Sequence, residues 1–211
     1  MAPKPAGSSG PKKGALPKLR LVEPAPKGEA GVFQIKITLK DVKPAIWRRF
    51  QVAGDVKFFK LSRIIQMVMG WHGGHLHEFV VGGKHIGVPD PDFPALDEII
   101  NEKSLRLNEV VKDEKAKFFY EYDFGDGWRH ELVVEKILPR DKELRLPRCL
   151  AGKRNGPPED CGGPWGYMDL VKAIANPNHP EHDEITEWLG FEFDPEEFDL
   201  EGINMALSKL R

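Results

Sequence analysis

Residues 120–130 read YEYDFGDGWRH, and two strand-like runs meet within this stretch around a turn of acids and glycines. Side chains two positions apart on a strand point the same way. One face of the first run therefore carries Phe118, Tyr120, Tyr122 and Phe124, and one face of the second carries Trp128, His130, Leu132 and Val134. Asp-Gly between such runs is a strong hairpin signal. The stretch predicts a β-hairpin with aromatic side chains in the core, and with Asp123 and Asp126 hydrogen-bonded to the turn backbone.

The overall composition is that of a globular protein, because 40% of the 211 residues are hydrophobic, enough for a sizeable core. No apolar run approaches the roughly 20 residues that span a bilayer, and the N-terminus lacks the apolar segment of a signal peptide. We therefore expect a soluble cytoplasmic protein that does not enter a membrane. In a reducing compartment Cys149 and Cys161 are thiols or metal ligands by default, and a single disulfide between them stays open.

Charge is distributed unevenly along the chain. Residues 1–30 carry six basic residues against two acids and are rich in Pro, Gly, Ser and Ala. Such a segment cannot bury enough apolar surface to offset chain entropy, so we expect a disordered basic tail. Between Glu181 and Glu201 the chain has ten acids and no Lys or Arg, a surface that repels phosphates. A nucleic-acid partner could contact the tail, but not this acidic C-terminal region.

Residues 31–211 are expected to form a single globular domain of the α+β class, with a mostly antiparallel sheet built from hairpins. Apolar alternation predicts strands at 32–39 and 46–52, and a third strand that runs from His75 into a hairpin at Gly82-Gly83. The Asp-Gly hairpin follows at 117–137. Prolines and glycines predict an irregular loop between Pro139 and Pro164.

Helical patterns flank these strands. Apolar residues at helical spacing predict an amphipathic helix over 58–69, which Gly70 ends. Short helical turns are predicted at 95–100 and 105–111, in a surface excursion between strands. The C-terminal helices are predicted at 167–174, 182–189 and 200–210. The sheet is then packed by one helix from the N-terminal half and a cluster of helices from the C-terminal part.

Four motifs lie in order along residues 32–210. They are Pro44–Arg49, Gly70-Trp71 with His75–Phe79, Tyr120–Trp128 with His130, and Pro157–Gly163 with Gly166-Tyr167. Together they resemble the plasmid Ri ORF-three-like family, whose members are also described as TnpR-type passenger proteins of insertion elements. The resemblance implies a plasmid-associated or mobile-element-associated protein, and it implies no particular reaction. Recombinase chemistry needs a Ser or Tyr nucleophile among arginines, and the sequence assigns no residue to that role.

Polar residues that could form one site gather in or beside the turns. They are His75, His77, Asp123, Asp126, His130, Glu159 and Asp160, with Trp71 and Trp128 near them in sequence. His75 and His77, two apart on a predicted strand, could chelate one divalent metal with His130 as a third ligand. Imidazole and carboxylate ligands suit a metal that activates water for hydrolysis. A structural interpretation stays open, in which the acids cap turns or pair with Arg48 and Arg49 and the histidines hydrogen-bond in a polar seam.

Trp47, Arg48 and Arg49 have two interpretations. Strand alternation places Trp47 and Arg49 on one face and Arg48 on the other. We expect one arginine to meet a carboxylate of the Asp-Gly turn in a bidentate pair. The alternative is a nucleic-acid contact, which requires both arginines to face solvent beside exposed aromatics. The acidic character of the globular part favours the ion pair.

Three functional classes follow from these residues. The sequence favours a non-enzymatic binding or accessory module, for a mobile-element protein or nucleic acid, which predicts an exposed aromatic groove without a closed polar cluster. A metal-dependent hydrolase is the alternative, and it requires His75, His77, His130 and acids to converge within ligand distance. A purely structural or interaction domain is the third class.

Overall fold

Antiparallel strands dominate the fold, as the alternating patterns predict. The computed structural model of the protein describes residues 31–89, 99–141 and 143–210. The strands in these ranges are β1 Val32–Leu39, β2 Trp47–Ala53, β3 His77–Val81, β4 Lys84–Gly87, β5 Ile100–Asn101, β6 Lys117–Tyr122, β7 Trp128–Leu138 and β8 Arg148–Lys153. They form one sheet in the order β5-β4-β3-β6-β7-β1-β2-β8. Only β4 and β5 pair in parallel among these strands.

The helices of the described ranges are α1 Phe58–Met69, α2 Leu107–Val110, α3 Gly163–Ile174, α4 His182–Leu189 and α5 Leu200–Ser208. The predicted helix at 58–69 is confirmed, and Gly70 ends it in the left-handed conformation with φ 88°. Helix α5 packs on β8 and on α1, and α3 packs on α4. The α+β class, with helices from both parts of the chain around an antiparallel sheet, is confirmed.

The core lies on one face of this sheet. Strand β1 buries every second residue from Phe33 to Leu39, and α1 covers the same side with its apolar stripe. The Asp-Gly hairpin is confirmed as well, since its buried set includes Phe118, Tyr120, Tyr122, Trp128, His130, Leu132 and Val134. Phe124 was expected in this set and is 51% exposed. The prediction for Phe124 is wrong because the chain leaves the strand at Asp123, whose φ is 55°.

Three further boundaries differ from those predicted. The predicted loop after Pro139 contains β8, an edge strand paired with β2. Its sequence, RCLAGK, contains no β-branched residue and so gives no strand signal. Pro147 directly before it is compatible with a strand, because the missing N–H of a proline at a strand start breaks no hydrogen bond of the sheet. Strand β3 begins at His77 and not at His75. The helical turn at 95–100 lies largely outside the described residues, and Ile100 belongs to β5.

Two predictions concern features beyond the sheet. Cys149 and Cys161 are both free, so the disulfide left open by the sequence does not form. None of the described helices is long and apolar enough to cross a membrane. The basic tail at 1–30 lies outside the described residues, and the division between tail and domain stays a prediction.

Candidate functional site

The turn between β6 and β7 fixes the orientation of the Asp123 carboxylate. Asp123 adopts the left-handed conformation, and its carbonyl accepts a hydrogen bond from the Gly127 N–H at 2.6 Å. Its Oδ1 accepts from the N–H groups of Gly125 and Asp126 at 3.0 and 3.3 Å. The turn therefore occupies one oxygen of Asp123 and leaves Oδ2 to face the His75 ring. Short polar side chains that bond their own turn backbone commonly adopt this conformation.

His75 lies against this hairpin, just before β3 begins. The N–H of Asp123 donates to the Leu76 carbonyl at 2.8 Å, which holds the two segments side by side. The His75 ring contacts Tyr122 edge-on, with ring centroids 5.6 Å apart. Its Nδ1 is 3.4 Å from Oδ2 of Asp123, and its Nε2 is 3.3 Å from Oδ1 of Asp160. The imidazole thus lies between two carboxylates.

Together, His75, Asp123 and Asp160 form the one group of three or more potential metal ligands within the described ranges. Each residue offers a donor atom, and these atoms lie within 4.8 Å of one another. The side chains of His75 and Asp123 are 30% and 13% exposed, whereas that of Asp160 is 70% exposed. The cluster is therefore walled by protein on two sides and open to solvent at Asp160.

The loop that carries Asp160 is held by contacts with Trp71 and Tyr122. Trp71 stacks on Tyr122 with centroids 4.7 Å apart, and its Nε1 donates to the Pro157 carbonyl at 2.9 Å. Glu159 accepts a short hydrogen bond from the Tyr122 hydroxyl. Because Trp71 and Tyr122 are both buried, these contacts tie the 157–160 loop to the end of the sheet.

Glu159 is committed to this anchoring role through both of its oxygens. Its Oε2 accepts from the backbone N–H of His72 at 3.0 Å and lies 3.1 Å from the His72 Nδ1. Burial opposes ionisation, but the hydrogen bonds from Tyr122 and His72 hold the pKa of the Glu159 carboxyl below its usual value. Burial, followed by the neighbouring Glu159 carboxylate, raises the pKa of the Tyr122 phenol. Glu159 is therefore an ionised acceptor that positions the loop.

His77 and His130 lie outside the cluster. The His77 Nε2 donates to the buried Glu102 carboxylate at 2.9 Å. His130 is fully buried, and its Nδ1 donates to the Tyr120 carbonyl at 3.3 Å. Burial lowers the pKa of His130 to about 4, although backbone hydrogen bonds partly oppose that shift. The three histidines do not share one site, and the sequence could not separate them because strand alternation treats His75 and His77 alike.

Asp126 and Cys161 lie close to the cluster without joining it. The Oδ2 of Asp126 is buried and has no hydrogen-bond partner among the residues that the structure describes. Burial and the negative charges of Asp126 and Asp160 raise the pKa of the Cys161 thiol to about 12. A thiol in that state is a poor metal ligand, because the thiolate is the form that binds metals.

The arginines of β2 do not contact the Asp-Gly turn. Arg49 forms the predicted bidentate pair, but its partner is Glu135 of β7, with nitrogen to oxygen distances of 2.5 and 2.7 Å. The expected partner was wrong because β1 alone separates β2 from β7, so Arg49 reaches across it on the open face of the sheet. Trp47 lies on the same face and is covered by Lys36 and Arg49.

Arg48 points to the opposite face and is 2% exposed. Its Nε donates to the carbonyl of Val68 in the last turn of α1 at 2.8 Å, and its Nη1 donates to the carbonyls of Trp47 and Lys153. Burial lowers the pKa of Arg48 to about 10. Cations at a helix C-terminus stabilise its unpaired carbonyls. Arg48 therefore caps the C-terminal end of α1. The nucleic-acid interpretation required both arginines to face solvent, and it is wrong because Arg48 is buried.

Sequence reasoning also missed three partners in this region. His72, Tyr122 and Glu102 each bond a predicted site residue. Tyr122 was expected only as a core aromatic, since alternation reports burial and not where a hydroxyl points. Trp71 and Trp128 were expected near the site, and both are buried with ring centroids 6.0 Å apart.

An antiparallel α+β protein with a His/Asp cluster at one end of its sheet is the class that these features define. The chain belongs to the family described as plasmid pRiA4b ORF-3-like protein, which matches residues 31–202. The resemblance carried by the four sequence motifs is thereby confirmed.

Two relatives extend over most of the chain. The uncharacterized protein y4hQ of Sinorhizobium fredii is 36% identical over 183 residues, which are 86% of this chain and 93% of that protein. A solved structure of a protein of unknown function from Methanosarcina mazei Go1 is 38% identical with a TM-score of 0.71, covering 81% of this chain and 96% of that one. Neither name states an activity, so the function is inferred from the site.

Proposed function

We propose that this protein is a binding module of its plasmid-associated family, and that its binding centre is a divalent-cation site formed by His75, Asp123 and Asp160. The observation that supports this function is the convergence of three ligand side chains from three separate chain segments. Imidazole and carboxylate together suit borderline cations such as Zn²⁺ and Mn²⁺.

The spacing of the donor atoms is compatible with a single cation. Two ligands each about 2.1 Å from an ion lie at most about 4.2 Å apart. The donors here lie within 4.8 Å of one another, but Asp123 faces Nδ1 of His75 and Asp160 faces Nε2, so one carboxylate has to rotate toward the ring nitrogen that the other faces. Asp160, with a 70% exposed side chain, has the freedom for that rotation.

The surroundings of the ligands favour a site that is ready to bind. Asp123 is fixed by its own turn through Oδ1 and keeps Oδ2 free to bind a cation. The loop of Asp160 is anchored through Glu159 and Trp71. Groups behind the ligands that fix their orientation commonly contribute to metal affinity.

Calorimetric titration with Zn²⁺ and Mn²⁺ tests the cation site. We expect one equivalent of cation to bind the wild type, and we expect the Asp123→Asn and His75→Ala variants to lose that binding. His77→Ala is the matched control, because it removes an imidazole two residues away that is bonded to Glu102. Binding should also weaken in acid, since imidazole and carboxylate ligate in their deprotonated forms. No binding to the wild type, or equal loss in His77→Ala, would contradict the proposal.

A metal-dependent hydrolase is the second candidate, with His75, Asp123 and Asp160 as its ligands in place of the three histidines that the sequence grouped. The 70% exposure of the Asp160 side chain favours it. A cation held by three protein ligands at a site open to solvent keeps a coordination position for water. Catalytic metal sites have this arrangement. The test is cation-dependent hydrolysis of an activated phosphodiester by the wild type and by Asp123→Asn. If the wild type binds the cation but does not hydrolyse the phosphodiester, the hydrolase is rejected and the binding module is retained.

Two finer points belong to the same proposal. We place the protein in the cytoplasm, in keeping with the two free cysteines, Cys149 and Cys161. We also propose that any nucleic acid contacts the basic residues of 1–30 and avoids the ten acids of 181–201.

A further inference from the structure

A basic cleft lies between β2, the first turns of α1 and the end of α5. Its volume is about 760 Å³, within the range of small-ligand sites. The charged side chains that line it are Lys57, Lys60, Arg63, Arg106 and Lys209 against the single carboxylate of Asp55. These charges make the cleft positive, although the residues after the tail carry more acids than bases.

The single acid of the cleft is already partnered. Arg106 donates from Nη1 to the Asp55 carbonyl at 2.8 Å and lies 3.8 Å from its carboxylate. Within the described part of the chain, Lys57, Lys60, Arg63 and Lys209 form no ion pair. Their positive charge is therefore left for a ligand, and an anion is the ligand that complements it.

The floor of the cleft is apolar. Val56, Leu146 and Leu210 contribute partly exposed aliphatic surface, and Phe59 is 38% exposed. Arg63 and Lys103 lie 5.9 and 5.5 Å from the Phe59 ring centroid. Both cations therefore pack over the Phe59 ring. Exposed aromatic rings and arginine guanidinium planes are the two kinds of surface on which proteins stack nucleobases.

The cleft lies at the opposite end of the sheet from the His75 cluster. Ala53, in the cleft, pairs with Val32 at the start of β1, whereas Leu39 at the end of β1 pairs with His130. Eight strand residues separate the two ends, about 25 Å.

We infer that this cleft binds single-stranded nucleic acid, with one nucleotide seated on the apolar floor beside Phe59 and its phosphates on Lys60, Arg63 and their neighbours. A polyanion is favoured over a free nucleotide because Lys57, Lys60, Arg63 and Lys209 all line the cleft without an ion pair in the described part of the chain, more positive charge than the roughly two negative charges of one terminal phosphate neutralise. This site is independent of the cation site, and its binding can be measured in the presence of a chelator.

Fluorescence anisotropy with a labelled oligothymidylate and the full chain tests this inference. The Lys60→Glu/Arg63→Glu variant should bind at least about tenfold more weakly, with a shallower dependence of log K on log salt. Phe59→Ala should also weaken binding by about tenfold, but with the salt dependence unchanged, because stacking and not phosphate contact is lost.

The matched control is Lys40→Glu/Lys153→Glu, which makes the same change in net charge with two exposed lysines at the far end of the sheet. We expect that control to change affinity by less than about twofold, because the two ends lie beyond a screening length. Equal losses in the two double variants would overturn the inference. So would equally tight binding of thymidine monophosphate, which indicates a small-ligand site, or of a duplex of the same length.

Discussion

His130 makes stability depend on pH in a direction that its burial fixes. The ring is fully buried against Trp71 and Tyr120, and burial lowers its pKa to about 4. In the unfolded chain a histidine titrates near pH 6.5. Between these values the unfolded state binds a proton that the folded state does not, so the free energy of unfolding falls as pH falls.

The size of this effect follows from the two pKa values. Between pH 7.5 and pH 5, the difference corresponds to about 2 kcal/mol of stability lost. Restricting the range to pH 5 and above keeps most carboxylate titration out of the measurement. His130→Phe removes the titrating group together with the buried Nε2, which has no hydrogen-bond partner in the described chain.

Urea unfolding, followed by tryptophan fluorescence at several values of pH, measures the effect. We expect the wild type to lose about 2 kcal/mol more between pH 7.5 and 5 than His130→Phe loses over the same range. Ile37→Val is the control, because it destabilises a fully buried position of β1 without removing a titrating group. A wild-type pH dependence that survives in His130→Phe would refute this explanation.

Other outcomes test the packing around the candidate site. Gly156→Ala should cost about 1–3 kcal/mol in urea unfolding, because a Cβ there collides with the Met69 carbonyl, whereas Gly74→Ala meets open space and should be nearly neutral. Arg48→Met should lower the free energy of unfolding by about 3 kcal/mol in the same assay, since the carbonyls of Val68, Trp47 and Lys153 lose the donor that Arg48 supplies. Tyr122→Phe should lower Zn²⁺ affinity by about tenfold in calorimetry by freeing the Glu159 loop, while Tyr167→Phe, whose hydroxyl has no partner in the described chain, should not.

Local patterns predicted most of the fold because each relevant element has its own periodicity. The helix at 58–69 and the Asp-Gly hairpin show clear 3.6-residue and two-residue repeats, and both are found where expected. Strand β8 shows neither repeat, since it depends on pairing with β2 and on cover from α5. Edge strands of this kind are determined by tertiary contacts and not by their own sequence.

The candidate site could be predicted only in part. The sequence grouped seven polar residues, and the structure brings three of them, His75, Asp123 and Asp160, within 4.8 Å of one another. Which histidine joins the acids depends on where β3 begins, a boundary that shifts by two residues. The role of Glu159 depends on the Tyr122 hydroxyl from a distant strand, and neither spacing nor composition reports such a contact.

Anomalous X-ray scattering at the zinc edge, from crystals soaked in Zn²⁺, tests the central claim most directly. We expect one strong peak about 2.1 Å from a His75 ring nitrogen and from carboxylate oxygens of Asp123 and Asp160. The peak should be absent from crystals of Asp123→Asn soaked in the same way. A wild-type map with no peak at these three residues, or with its strongest peak at His77 and Glu102, would contradict the proposed cation site.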